Sequence, residues 1–182
     1  MRRGNKGVLA LALVLALGLL GVAGCGSTLG KEADEGVPIK LGDLQFNVSE
    51  TRFLNPGQPD DKDYLAGQQV PLPPSQAYLG VFLTIHNESD RAANLPTYAD
   101  TSVVDTTGAA YQAIPSNTPF AAHLGTTLAG HGDVPVPDTP AANGPTQGAL
   151  VLFLTDRGIT ENRPLKLEIQ YQGETGTITL DI

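Results

Sequence analysis

Apolar side chains in this sequence recur at every second position, and beyond the N-terminus no long segment repeats them at helical spacing. Period two sends alternate side chains to opposite faces of a pleated strand, so the pattern restricts the chain to sheet. Leu44, Phe46 and Val48 alternate with Gln45, Asn47 and Ser49. Leu79, Val81, Leu83 and Ile85 alternate likewise, and these odd positions are expected to form the buried face; Phe82 alone is out of phase. Ser102–Asp105 and Ala109–Ile114 flank a short turn, Thr106-Thr107-Gly108. Ala149–Leu154 is continuously apolar, as in a central strand covered on both faces. Leu165, Leu167, Ile169 and Tyr171 alternate again, as do Ile178, Leu180 and Ile182, with Gly173-Glu174-Thr175-Gly176 as the hairpin between them. The fold expected is all-β, an antiparallel β-sandwich of about seven strands.

A sandwich of that kind needs about 100 residues. The excess lies in two long connections, Leu54–Ala77 and Pro115–Gln147, both rich in Pro, Gly, Asp, Ala and Thr. Loops of this length are usually functional or mobile. If every connection reverses the chain, strand parity puts them at opposite ends of the sandwich, where they would not form a joint site. Phe120–Asn143 then reads as a surface segment whose deletion leaves a folded sandwich.

The N-terminus follows a different grammar. Arg2, Arg3 and Lys6 precede an uninterrupted run of Leu, Ala, Val and Gly from Val8 to Leu20, and Val22-Ala23-Gly24-Cys25 follows. This resembles a bacterial lipoprotein signal peptide, residues 1–24, with Val22, Ala23 and Gly24 as the lipobox. The resemblance implies that Cys25 takes a diacylglyceryl group and becomes the first mature residue. An ordinary transmembrane anchor needs about 20 apolar residues, more than this glycine-diluted run supplies. Cys25 is the only cysteine, so no intramolecular disulfide is available and packing alone must hold the exported domain. Two or more acyl chains, at about 0.8 kcal/mol per buried methylene, hold a protein firmly on the extracytoplasmic face of a membrane.

The leader carries three of the 11 basic residues and none of the 19 acids, which leaves the mature chain at −11. Such a surface repels phosphate backbones, so no nucleic-acid partner is expected. Residues 25–37 are mostly Gly, Ser, Thr, Lys and acids and read as a flexible acidic tether. Residues 38–182 are then one domain with a real core.

Three local patterns in that domain are similar to domain of unknown function 4352, a family of bacterial lipoproteins and membrane-anchored proteins with an immunoglobulin-like sandwich. One is Ile39-Lys40-Leu41-Gly42 followed by an alternating strand. The second is the run from Tyr78 to Asn87-Glu88-Ser89, and the third the hairpin from Asp105 through Gly108 to Tyr111. A Gly-containing turn at Asn143-Gly144 before the apolar strand ending in Phe153 extends the likeness, which covers roughly residues 37–182. It implies an immunoglobulin-like sandwich and no catalytic residues. The telomere-repeat-binding name that the family carries finds no support in this acidic sequence.

Candidate chemistry is sparse. Asp60, Asp61 and Asp63 are the densest carboxylates and could offer oxygens to a hard cation, yet Lys62 sits among them and the EF-hand spacing is missing; a solvated acidic loop explains them as well. His123 and His131 share a long loop with Asp133 and Asp138, a set that zinc or copper could use, although exposed loop histidines need no metal. No Gly-x-Ser-x-Gly elbow or triad context is present, and aromatic platforms for sugar are scarce. Phe53, Tyr64, Tyr78, Tyr98, Tyr111 and Phe120 fall near strand ends and in loops, where they cap the core or meet a partner. The sequence therefore predicts a lipid-anchored, non-enzymatic interaction or accessory module without a cofactor, meeting an unknown protein or small-molecule partner. A metal-binding carrier or sensor using the long loops is the alternative.

Overall fold

Alternation becomes two stacked sheets in the computed structural model, which describes residues 29–182; the leader, the lipobox and Cys25 lie outside the described residues. The strands are β1 (Glu32–Asp34), β2 (Ile39–Leu41), β3 (Leu44–Leu54), β4 (Gln76–Asn87), β5 (Ala93–Asn94) and β6 (Thr101–Val104). They continue with β7 (Ala110–Ile114), β8 (Thr127–Leu128), β9 (Asp133–Val134), β10 (Ala149–Asp156), β11 (Lys166–Tyr171) and β12 (Glu174–Thr179). One sheet runs β2-β3-β4-β10-β7 and the other β7-β6-β11-β12-β1. Strand β7 belongs to both: Ala110–Gln112 pair with β6, and Ala113 and Ile114 pair with β10.

Among the seven long strands the order β3-β4-β10-β7 beside β6-β11-β12 is that of a constant-type immunoglobulin domain. The protein is an all-β sandwich, and the seven strands expected from alternation correspond to those seven, except that the last is displaced: β12 ends at Thr179, so Leu180 and Ile182 lie past it. The other five are two or three residues long, too short for alternation to register.

Register explains which residues are inside. Leu79, Val81, Leu83 and Ile85 lie in the central core with Phe46, Val48, Val103, Val151, Phe153, Leu167 and Ile178. A bulge at Ser49 shifts the pairing of β3 on β4 between Val48 and Glu50, so its core-facing positions change from even to odd. Past the bulge Thr51 and Phe53 sit opposite Val81 and Leu79, while Arg52 and Leu54 are carried to the outer face.

That outer face is not solvent. Leu54, Tyr64, Leu65, Tyr78, Phe82, Leu150 and Leu152 form a second apolar cluster, with Leu72, Ile114, Phe120 and Leu154 packed on it. Phe82 is out of phase because both faces of β4 are covered there.

The long connections supply that cover, which corrects the surface-loop expectation. Strand direction does alternate through the seven long strands, so the two connections start at opposite ends. They then fold back over the same sheet and meet: the rings of Tyr64 and Phe120 are 4.5 Å apart, and Gln68 Nε2 donates to the Pro115 carbonyl. The Pro115–Gln147 segment is pinned along its length. Leu150 N–H donates to the Phe120 carbonyl and Ala122 N–H to the Leu150 carbonyl, β8 pairs with β5, and β9 pairs with β4. Ala122, Leu124, Leu128 and Ala141 are buried. This segment is core, not loop.

Two smaller expectations also change. The hairpin between β11 and β12 turns on Gln172-Gly173, both at positive φ (50° and 80°), as a two-residue type I′ turn requires, so Glu174 and Thr175 belong to the strand. The tether is shorter than residues 25–37. Glu32–Asp34 pair in parallel with Thr177–Thr179, and Lys40 N–H already donates to the Gly30 carbonyl. Acidic, polar residues carry no alternation, so a solvent-facing edge strand looks like linker.

Candidate functional site

The side chains singled out for chemistry are spread over the fold and given structural work. Asp61 is buried and accepts from Arg52 Nη1 at 2.5 Å and from Asn55 N–H at 2.8 Å. The Arg52 guanidinium lies 5.4 Å from both the Tyr64 and Phe82 ring centroids, so this ion pair closes the rim of the outer cluster. Asp60 and Asp63 are exposed on either side of it. His123 and His131 both adopt positive φ (48° and 55°), the left-handed backbone of a turn residue. His131 Nε2 is 2.8 Å from Asp90 Oδ1, and His86 Nδ1 is 2.7 Å from Asp133 Oδ1. Among the described residues no three His, Cys, Asp or Glu side chains gather as metal ligands would, so the loop-based metal set is not assembled.

The motif residues of the family resemblance have structural roles as well. Asn87 is fully buried at the end of β4, where Nδ2 donates to the carbonyls of Arg91 and Ala129 and Oδ1 accepts from Ser89. Asp105 Oδ1 accepts from the Thr107 hydroxyl and from the N–H groups of Thr107 and Ala109, and Oδ2 accepts from Asn162. These bonds, the Thr107 hydroxyl first, hold its carboxyl below the usual range.

What the fold does assemble is a cleft of 650 Å³ at one end of the sandwich. Its walls are the last residues of β3 (Phe53, Leu54), the stretch Val70–Leu72, and Ala77 at the start of β4. That volume is in the range of small-molecule sites, and the lining is predominantly apolar, as such sites are. Val70 is 56% exposed and lines the cleft. Arg157 is the only charged residue of the lining. Its Nε donates to the Pro74 carbonyl at 2.9 Å, a longer contact runs from Nη2 to the Gln76 carbonyl, and it pairs with no carboxylate among the described residues.

Sequence reasoning missed this site. The cleft exists only because residues 70–72 fold back beside the end of β3, and Arg157 reads in the sequence as an ordinary turn cation. One signal was present: Val70 and Leu72 are apolar residues in the Gln- and Pro-rich second half of the connection, Gly67–Gln76.

Position relative to the chain's start completes the geometry. Residues 29–31 lie beside the β11–β12 turn, where Lys31 Nζ pairs with Glu174 at 2.8 Å and Gly42 N–H reaches the same carboxylate. Strand β1 then runs parallel to β12, away from that turn. The cleft sits past the other end of β3, which is 11 residues long and so on the order of 35 Å. The start of the described chain and the cleft therefore lie at opposite ends of the sandwich.

Comparison with known proteins adds little beyond fold. No family profile matches the chain, and no curated protein matches it. Solved structures similar to it include an uncharacterized β-sandwich protein from Clostridium difficile 630, 13% identical, covering 82% of this chain and 93% of its own, with a TM-score of 0.49. The yjhA protein from Bacillus subtilis is 10% identical over 82% of this chain and 99% of its own, with a TM-score of 0.48. MPT63, a secreted protein from Mycobacterium tuberculosis, is 10% identical over 83% and 96%, with a TM-score of 0.47.

Proposed function

We propose that this protein is a lipid-anchored, extracytoplasmic binding module that performs no catalysis and presents its cleft to a protein or small-molecule partner away from the bilayer. The observation that carries the reading is the opposition of tether end and cleft. With Cys25 acylated, at most about five residues separate the lipid from the first residues held by the sheet, a reach of roughly 17 Å. The β11–β12 turn then lies near the headgroups and the cleft opens on the far side. Support also comes from the chemistry of the walls: apolar surface with one cation suits binding, and Asp61, His86 and His131 are engaged with side-chain partners away from the cleft. No helix among the described residues is long and apolar enough to cross a membrane; the anchor in this reading is the acylated Cys25, on the strength of the lipobox resemblance.

Cys25→Ala tests the anchor. The wild-type protein should partition into the detergent phase of a phase-separating detergent, and the variant into the aqueous phase. Detergent-phase partition of a leader-cleaved Cys25→Ala protein would remove the lipid from the account.

A further inference from the structure

A large acidic domain has, as the only charge in its apolar cleft, a cation. Arg157 Nε donates to the Pro74 carbonyl, and Nη2 lies 3.5 Å from the Gln76 carbonyl, which orients the guanidinium at the wall and leaves Nη1 without a partner among the described residues. Carbonyl acceptors orient a guanidinium without neutralising it. Among the described residues only Lys31, Lys40 and Arg52 pair with carboxylates, and Arg163 is likewise held by carbonyls, of Thr160 and Ile182; what sets Arg157 apart is its place in the lining of the cleft. The cleft therefore combines an apolar floor from Phe53, Leu54 and Leu72 with one fixed, uncompensated positive charge at its edge.

We propose that the cleft binds a small amphipathic monocarboxylate, with an apolar body against Phe53, Leu54 and Leu72 and its carboxylate on Arg157. Charge complementarity selects the headgroup. Arg157 is exposed at the edge of the cleft, so a ligand can reach it; its planar guanidinium presents N–H donors in the geometry a carboxylate accepts, and such charge-assisted bonds are stronger than neutral ones. An amine of the same length would place a second cation against Arg157, and a neutral alcohol would leave the guanidinium without its counter-charge. The volume of 650 Å³ admits a medium-length aliphatic chain. The proposal deepens the binding-module reading by naming the ligand class.

The test uses dodecanoate, dodecanol and dodecylammonium below their micelle concentrations, followed by amide shifts in the purified protein. Dodecanoate should shift the amides of Gly57, Leu72 and Ala77 and bind more tightly than dodecanol, with dodecylammonium weakest. Arg157→Gln, melting as the wild type does, should lose about 10- to 100-fold in dodecanoate affinity and level it with dodecanol. Val70→Asp, a change at an exposed position, should weaken dodecanoate and spare dodecylammonium. The proposal is overturned by dodecylammonium binding as tightly as dodecanoate, by shifts confined to residues outside the cleft, by no binding of dodecanoate, or by unchanged affinity in Arg157→Gln. None of these outcomes bears on whether Cys25 is acylated, which the partition experiment reads separately.

Discussion

The rings of Tyr64 and Phe120 meet at 4.5 Å between centroids, tilted by 49°, although 56 positions separate them and their connections leave opposite ends of the sandwich. Tyr64 also meets Phe82 of β4 edge-on at 5.3 Å. Three aromatic rings thus join both long connections to the outer face of one sheet and make a second core there. Aromatic pairs of this kind add about 0.5–1.5 kcal/mol beyond the area they bury. A double-mutant cycle on Tyr64→Ala and Phe120→Ala, read by denaturant unfolding, should return a coupling of that size.

The Tyr64 hydroxyl is buried without a hydrogen-bond partner. A hydroxyl in that position costs desolvation and returns nothing, so Tyr64→Phe is expected to be neutral or stabilising, whereas Tyr64→Ala should cost about 3–5 kcal/mol. Loss of more than about 1 kcal/mol in Tyr64→Phe would mean that the hydroxyl has a partner in solution.

Removing Phe120–Asn143 should abolish cooperative melting. The deletion strips β8 and β9, the buried Ala122, Leu124, Leu128 and Ala141, and half of the Tyr64–Phe120 contact. A deletion variant that melts sharply near the wild-type temperature would return the segment to surface-loop status. In the central core, Leu83→Ala should cost about 2–5 kcal/mol, because Leu83 is 1% exposed.

Asp105 makes stability depend on pH in one direction. Its carboxyl is held below the ordinary value near 3.9 by the Thr107 hydroxyl and the neighbouring amides. A depressed folded pKa contributes stability that is fully present above the unfolded pKa and is lost as pH falls through the folded one. The stability gap between wild type and Asp105→Asn should therefore be constant from pH 6 upward and close progressively below about pH 4. A gap that persists unchanged in acid would contradict the assignment. Asn87→Ala should be costly at every pH, since each backbone carbonyl that loses the Asn87 amide donor forfeits about 1–3 kcal/mol.

How much of this was legible follows from what each segment contributes to periodicity. Leu79, Val81, Leu83 and Ile85 announce their face because their neighbours Thr84 and His86 face solvent. The second core was readable only as an anomaly, Phe82 out of phase, because its cover comes from residues with no period of their own. The bulge at Ser49 hid Arg52 and Leu54, whose facing changes with one inserted residue. Glu32–Asp34 joined a sheet without any apolar residue larger than Ala33, since an edge strand needs only backbone pairing. The cleft lay beyond reach for a related reason: Leu54, Val70 and Arg157 come together through chain reversals that leave no mark on spacing.

The opposition of tether and cleft can be read by distance to the membrane. A fluorophore on Val70→Cys or on Thr175→Cys, both exposed positions, reports energy transfer to acceptors in the headgroups of nanodiscs that hold the lipidated protein. The account predicts strong transfer from Thr175, beside the β11–β12 turn, and weak transfer from Val70 in the lining of the cleft. Transfer from Val70 equal to or stronger than that from Thr175 would put the cleft against the bilayer and contradict the claim.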